Sequence, residues 1–191
     1  EDFAACVLDE LSSLDIDRFH LVGHSMGGMI VQEMVRLAPD RINRLVLYGT
    51  GSVGFLPGRF EPIETSKHRA AEDGASATGR RISATWFLDG EHSKRFHVCV
   101  HLAEKVSLQA MLAGLTAMDA WSGSASLPDI KSSTLVLWGD SDRTYPWNQT
   151  EQLWKEIPSA RLAVLPGCAH AVHLEKPNLF NAIVMDFLRE A

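Results

Sequence analysis

Residues 23–27 of the chain read G-H-S-M-G and join two segments of different periodicity. Residues 19–22 are mainly apolar and short, which is typical of a buried strand, whereas the segment after the turn carries apolar residues at helical spacing. A serine in so tight a turn has a strained backbone, and flanking glycines remove side chains that would collide with the strand and the helix. The pattern predicts Ser25 as a nucleophile, with the backbone N–H of Met26 at the helix N-terminus stabilising a developing oxyanion.

Further apolar runs alternate with helical patterns along the chain. They are residues 44–48, 134–138 and 161–165. Nearly continuous apolar strands are covered on both faces, and such alternation is typical of parallel sheets. The predicted fold class is therefore α/β, a parallel sheet flanked by helices, formed by residues 1–50 and 129–191.

Residues 51–128 interrupt the alternation and are predicted to form an inserted helical lid, with helices around residues 80–88 and 96–121. Most of its apolar residues should pack within the lid, and the others should line a substrate pocket. These residues are Phe55, Leu56, Trp86, Phe87, Met111, Leu115, Met118 and Trp121. Met118 and Trp121 are the substrate-binding candidates, together with His24 of the turn. Arg80 and Arg81 are candidates for a substrate carboxylate, although a solvated pair is the more ordinary interpretation.

Two residues that follow the later strands can complete a catalytic triad. Asp142 follows the run 134–138, and His170 follows the run 161–165. Because parallel strands end at the same edge of a sheet, both should face Ser25, with His170 as base and Asp142 as the acid that orients it. Asp140 is the alternative candidate for the acid, although it could equally be a turn residue that bonds its own backbone. His173 is the alternative candidate for the base.

The motifs at residues 23–28, 137–142 and 167–170 together resemble the α/β-hydrolase superfamily, especially its esterases, enol-lactonases and meta-cleavage-product C–C hydrolases. The resemblance implies a small-molecule ester or lactone substrate, no cofactor and no metal, with Asp142 matching the acid of a G-x-x-D turn. C–C hydrolases tend to carry tryptophan after the catalytic histidine, where this chain has Ala171. A C–C hydrolase is therefore the alternative, and a catalytically impaired fragment that acts as a binding protein is another.

The family's sheet begins with further strands, and a His-Gly loop after one of them supplies a second oxyanion donor. This sequence contains neither before residue 19. We therefore expect the free edge of the strand at residues 19–22 to be paired, either by a further N-terminal segment or by a second copy in a homo-oligomer.

The charge and composition of the chain disfavour some classes of binding partner. The net charge is −6, and no run rich in lysine or arginine is present, which disfavours nucleic acid. No apolar stretch approaches the roughly 18 uncharged residues of a spanning helix, and the three cysteines lack disulfide or zinc spacing. The expectation is a cytoplasmic protein that does not bind membranes.

Overall fold

A computed structural model describes residues 1–55 and 58–190, so the predicted lid residue Leu56 lies outside the described residues. One parallel sheet of four strands, in the order β1-β2-β3-β4, forms the centre of the fold. The strands are β1 Phe19–His24, β2 Ile42–Tyr48, β3 Ser133–Gly139 and β4 Ala160–Leu165. Each strand contains the corresponding apolar run of the sequence, and the predicted α/β fold class is confirmed.

Helices flank this sheet and also make up much of the segment between β2 and β3. They are α1 Asp2–Ser13, α2 Met26–Leu37, α3 Ile63–Asp73, α4 Ala75–Ala84, α5 Phe96–Ala103, α6 Leu108–Asp119, α7 Trp147–Glu156, α8 Val172–Glu175 and α9 Pro177–Arg189. Successive side chains of β2 point to opposite faces, so Leu45 and Leu47 join the apolar cluster that contains α2 residues, while Val46 joins the one that contains α9 residues. Both faces of the sheet are therefore buried.

The segment between β2 and β3 differs from its prediction in three places. α3 occupies a part predicted to be loop, and the helix predicted around residues 80–88 is α4, which ends at Ala84. The helix predicted at residues 96–121 is two helices, α5 and α6. The break has a local cause, because Ser107 has an extended backbone and its hydroxyl accepts a hydrogen bond from the Ala110 N–H, 3.1 Å away. A serine N-cap of this kind starts a new helix. The division into a core and a lid stays a prediction.

The first strand, β1, lies at one edge of the sheet and pairs with β2. No other strand of residues 1–55 and 58–190 pairs with it, so its cover by a further segment or a second copy stays a prediction. Within the same residues, no single helix is long and apolar enough to cross a membrane; α5 and α6 pass that test only as a pair bent by 108°.

Candidate active site

The turn after β1 holds Ser25 in a conformation that side chains rarely adopt. Ser25 has φ 54° and ψ −124° and is the N-cap of α2. A Cβ at Gly23 would lie 2.7 Å from the Gly28 Cα, and one at Gly28 would lie 2.4 Å from Thr50 Oγ1. These two glycines let β1, α2 and the residues after β2 approach closely. Gly27 differs, because a Cβ there would meet nothing within 4 Å.

Hydrogen bonds from the neighbouring strand fix this turn. The Ser25 N–H donates to the Tyr48 carbonyl at 3.2 Å, and the Thr50 hydroxyl donates to the Ser25 carbonyl at 2.7 Å. Met26 is the first residue of α2, where backbone N–H groups have no acceptor within the helix. The turn thus places a serine hydroxyl and a helix N-terminus side by side.

The predicted acid and base form a buried pair. Asp142 Oδ2 accepts a hydrogen bond from His170 Nδ1 at 2.8 Å, and the two side chains are 1% and 0% exposed. Asp142 Oδ1 accepts from the backbone N–H groups of Thr144 and Tyr145, at 2.7 and 3.0 Å. The carboxylate is therefore fixed in position, and a proton held on Nδ1 leaves Nε2 of the neutral imidazole free to accept another.

The two rival residues occupy other positions. Asp140 is exposed, and its Oδ1 accepts hydrogen bonds from the Gly167 N–H at 2.9 Å and the Ser141 hydroxyl at 3.0 Å. The Gly167 N–H is the main cause that lowers the pKa of Asp140. His173 packs against the rings of His24 and Tyr48. Asp140 thus joins the loops after β3 and β4, and the structure pairs His170, not His173, with Asp142.

Aromatic rings enclose His170. Its ring stacks on Tyr145 at 5.5 Å between centroids and contacts His24 at 4.4 Å and Trp86 at 5.7 Å. Nε2 of His170 is buried and has no hydrogen-bond partner among the described residues, the Ser25 hydroxyl included. Catalytic hydrogen bonds are often unformed before substrate binds, so this geometry requires the Ser25 hydroxyl to turn towards Nε2.

His24, beside the nucleophile, also contacts the base. Its Nε2 lies 3.1 Å from the His170 carbonyl oxygen, and its ring stacks on Tyr48 at 4.5 Å. Burial, followed by the charges of His170 and His173, holds the pKa of His24 well below its ordinary value. A neutral His24 donates its Nε2 proton to the carbonyl and so ties the turn after β1 to the loop after β4.

A cavity of about 490 Å³ opens above Ser25. Its lining is mostly apolar and comes from the turn and from the segment between β2 and β3. The lining residues include His24, Ser25, Met26, Arg59, Trp86, Met111, Leu115, Met118 and Tyr145. Among residues 1–55 and 58–190, no group of three or more His, Cys, Asp or Glu side chains is arranged to hold a metal ion.

Two of the three substrate-binding candidates, His24 and Met118, line this cavity, and Trp121 does not. Met118 lines it beside His24, and its Sδ lies 3.8 Å from the Tyr145 hydroxyl. The indole N–H of Trp121 donates to Glu33 Oε1 at 2.9 Å, and its ring lines a separate small pocket against α1 and α2, so its role in substrate binding stays a prediction. Trp121 also packs in one apolar cluster with Met26 and Met118.

The two arginines considered for a substrate carboxylate both bind glutamates instead. Arg80 pairs with Glu91 at the surface, and Arg81 Nη1 lies 2.7 Å from Glu61 Oε2. Arg59 and Tyr145 also line the cavity, and no motif of the sequence marks either of them. Tyr145 could have been suspected from its position three residues after Asp142, but nothing local in the sequence directs Arg59 into the cavity.

Comparison with known proteins agrees with this geometry. A family model described as "Alpha/beta hydrolase family" matches residues 1–183. A 2-hydroxy-6-oxo-6-phenylhexa-2,4-dienoate hydrolase from Burkholderia cepacia is 31% identical over 97% of this chain and 68% of that protein.

Solved structures share the fold. An enol-lactonase from Burkholderia xenovorans LB400 superposes with a TM-score of 0.87 and 25% identity, over 98% of this chain and 72% of that one. An esterase from Exiguobacterium antarcticum superposes with a TM-score of 0.89 and 19% identity, over the same shares of the two chains. The chain is therefore similar to hydrolases that differ in the bond they cleave.

Proposed function

The chain belongs to the alpha/beta hydrolase family, and on that premise we propose that it is a serine hydrolase that cleaves a carboxylic ester or lactone through an acyl-enzyme on Ser25. The observation that carries the proposal is the buried hydrogen bond between Asp142 and His170, next to a strained serine that opens into an apolar cavity. A structural role alone does not require an acid, a base and a nucleophile at the meeting point of three strand ends.

The reaction follows from these positions. Ser25 Oγ attacks the carbonyl carbon while its proton passes to His170 Nε2, and the Asp142 carboxylate stabilises the resulting imidazolium. The Met26 N–H donates to the oxyanion of the tetrahedral intermediate. The intermediate expels the alcohol, which takes the proton from His170. Water then attacks the acyl-enzyme with His170 again as base, which releases the acid and restores Ser25.

The relatives define a second candidate for the bond that is cleaved. Proteins named dienoate hydrolases are among the relatives, whereas Ala171 follows the histidine here. The Ala171 N–H donates to the Trp86 carbonyl at 2.9 Å and so joins the base loop to the segment over the cavity. We favour ester or lactone cleavage and keep hydrolysis of a dienoate C–C bond as the alternative.

Turnover of p-nitrophenyl butyrate tests the proposal. Ser25→Ala should reduce the rate to less than about 1% of wild type, because it removes the attacking oxygen. Ser141→Ala, which removes an exposed hydroxyl from the acid loop, is the matched control and should keep its activity. Retention of several per cent by Ser25→Ala would exclude Ser25 as nucleophile. Faster turnover of 2-hydroxy-6-oxo-6-phenylhexa-2,4-dienoate than of the ester would favour the alternative.

A further inference from the structure

Three arginines lie close to one carboxylate beside the catalytic cavity, and two of them bond to it. Glu61 is 9% exposed and accepts hydrogen bonds from Arg69 Nη1 at 3.2 Å and Arg81 Nη1 at 2.7 Å, as well as from the Ser66 hydroxyl. Arg59 is the third guanidinium of this cluster. Among the described residues, Glu61 is the one carboxylate hydrogen-bonded to any of the three arginines, so the cluster carries more positive than negative charge.

Arg59 is the member of the cluster that lines the cavity with Ser25. Its two hydrogen bonds both use Nη1 and both go to neutral oxygens, the Glu61 carbonyl at 2.7 Å and the Ser66 hydroxyl at 3.2 Å. Its Nε is buried and has no acceptor within residues 1–55 and 58–190. Its guanidinium carbon lies 4.1 Å from the centre of the Phe60 ring, which orients the group.

A bound anion would stabilise the charged guanidinium of Arg59. Burial holds the pKa of the Arg59 guanidinium below its ordinary value, while Glu61 opposes that shift. A half-buried cation whose bonded oxygens are all neutral has lost hydration that it does not fully recover from the protein. A ligand carboxylate in the cavity would pair with the part of the guanidinium that lines the wall, and charge-assisted pairs with arginine are among the strongest hydrogen bonds in proteins.

Arg59 and Ser25 lie in the wall of the same cavity, and Tyr145 is part of that wall as well. A carboxylate at Arg59 would therefore lie in the same cavity as the scissile carbonyl, a few bonds away from it. The remaining wall is mostly apolar and offers such a group little else to bind.

We propose that Arg59 is a specificity-determining residue that binds a carboxylate of the substrate, so that the preferred ester or lactone is an anionic one. This inference rests on the proposed function and narrows its substrate class. Arg80, on the same helix as Arg81, is exposed and paired with Glu91, and it supplies a matched control outside the cavity.

Two pairs of esters place the carboxylate on either side of the scissile bond: p-nitrophenyl glutarate against p-nitrophenyl hexanoate, and 4-acetoxybenzoate against 4-methylphenyl acetate. In at least one pair, wild type should prefer the anionic member in kcat/KM. Arg59→Gln should reduce that preference by about 10- to 100-fold, the range expected for a lost hydrogen bond between charged groups. Arg59→Lys should fall between the two, and Arg80→Gln should keep the wild-type preference. Equal preference in wild type and Arg59→Gln would overturn the proposal.

A binding measurement separates this proposal from the proposed function. In Ser25→Ala, glutarate or benzoate should change the fluorescence of Trp86, which lines the same cavity, and Arg59→Gln added to Ser25→Ala should weaken that binding by about 10- to 100-fold. Carboxylate binding that depends on Arg59 without ester turnover would reject the hydrolase and keep the subsite. Ester turnover that depends on Ser25, together with carboxylate binding that does not depend on Arg59, would keep the hydrolase and reject the subsite. Melting temperatures of the variants exclude unfolding as the cause.

Discussion

Replacing Asp142 by asparagine changes one atom of the buried pair and should reverse the proton position on His170. Asp142 Oδ1 receives two backbone N–H groups, so the amide oxygen of asparagine is expected to keep that side. The amide NH₂ then faces His170 Nδ1, at a contact that measures 2.8 Å in the native pair. Because NH₂ donates, Nδ1 must become the acceptor and the proton moves to Nε2, which can no longer accept a proton from Ser25.

The expected loss is about 10³- to 10⁴-fold in kcat, which corresponds to roughly 4 to 5.5 kcal/mol of transition-state free energy. Asp140→Asn provides the comparison, since that carboxylate is exposed and its contacts to Gly167 and Ser141 survive in an amide. It should change kcat by less than about threefold. The assay is the steady-state rate on a p-nitrophenyl ester at pH 8, with urea unfolding to confirm that both variants are folded.

Two outcomes would refute this reasoning. A variant Asp142→Asn that keeps more than about a tenth of the wild-type kcat would mean that the tautomer of His170 does not limit the reaction. A large loss in Asp140→Asn, with a small one in Asp142→Asn, would transfer the role of acid to the exposed residue.

Two further predictions concern stability. Burial and its two histidine neighbours hold the pKa of His24 well below its ordinary value of 6.5, so only the unfolded chain binds that proton near pH 5 to 6. The free energy of unfolding should therefore fall as pH is lowered, by about 1.4 kcal/mol per pH unit for this proton. Urea midpoints measured at pH 7, 6 and 5 should decline less steeply in His24→Gln than in wild type. Equal slopes would show that His24 is protonated in the folded state. Gly28→Ala places a Cβ 2.4 Å from Thr50 Oγ1 and should lower the free energy of unfolding by about 1–3 kcal/mol. In the control Gly27→Ala the new Cβ meets nothing within 4 Å, so the free energy of unfolding should change by less than half as much. Equal effects of the two variants in urea unfolding would show that the contact with Thr50 does not destabilise the protein.

The parts of the fold that could be predicted from sequence depend on short-range patterns. The four apolar runs identify four parallel strands, because a strand buried on both faces cannot carry many polar residues. The turn at Ser25 was predictable because the collisions that Gly23 and Gly28 avoid arise between elements adjacent in the chain. Because parallel strands end at the same edge of a sheet, it was also predictable that Asp142 and His170 would meet, and a hydrogen bond joins them.

The parts that could not be predicted depend on contacts between distant residues. Nothing near Trp121 in the sequence shows that its indole N–H meets Glu33 on α2. The charge of Arg59 is unremarkable until Glu61 is seen to be shared with Arg69 and Arg81. Helical spacing likewise continues through residues 104–107, where the capping by Ser107 begins a new helix. In each case a polar side chain decides the local structure.

The most direct measurement for the central claim is covalent labelling with an alkyl fluorophosphonate, followed by peptide mass spectrometry. An activated serine attacks the phosphorus and displaces fluoride, so the label reports nucleophilicity without any assumption about the substrate. The account predicts one phosphonylated residue, Ser25, with labelling slowed strongly in His170→Gln and in Asp142→Asn. A folded protein that remains unlabelled, or that carries the label on another serine, would contradict the assignment of Ser25, His170 and Asp142 as a catalytic triad.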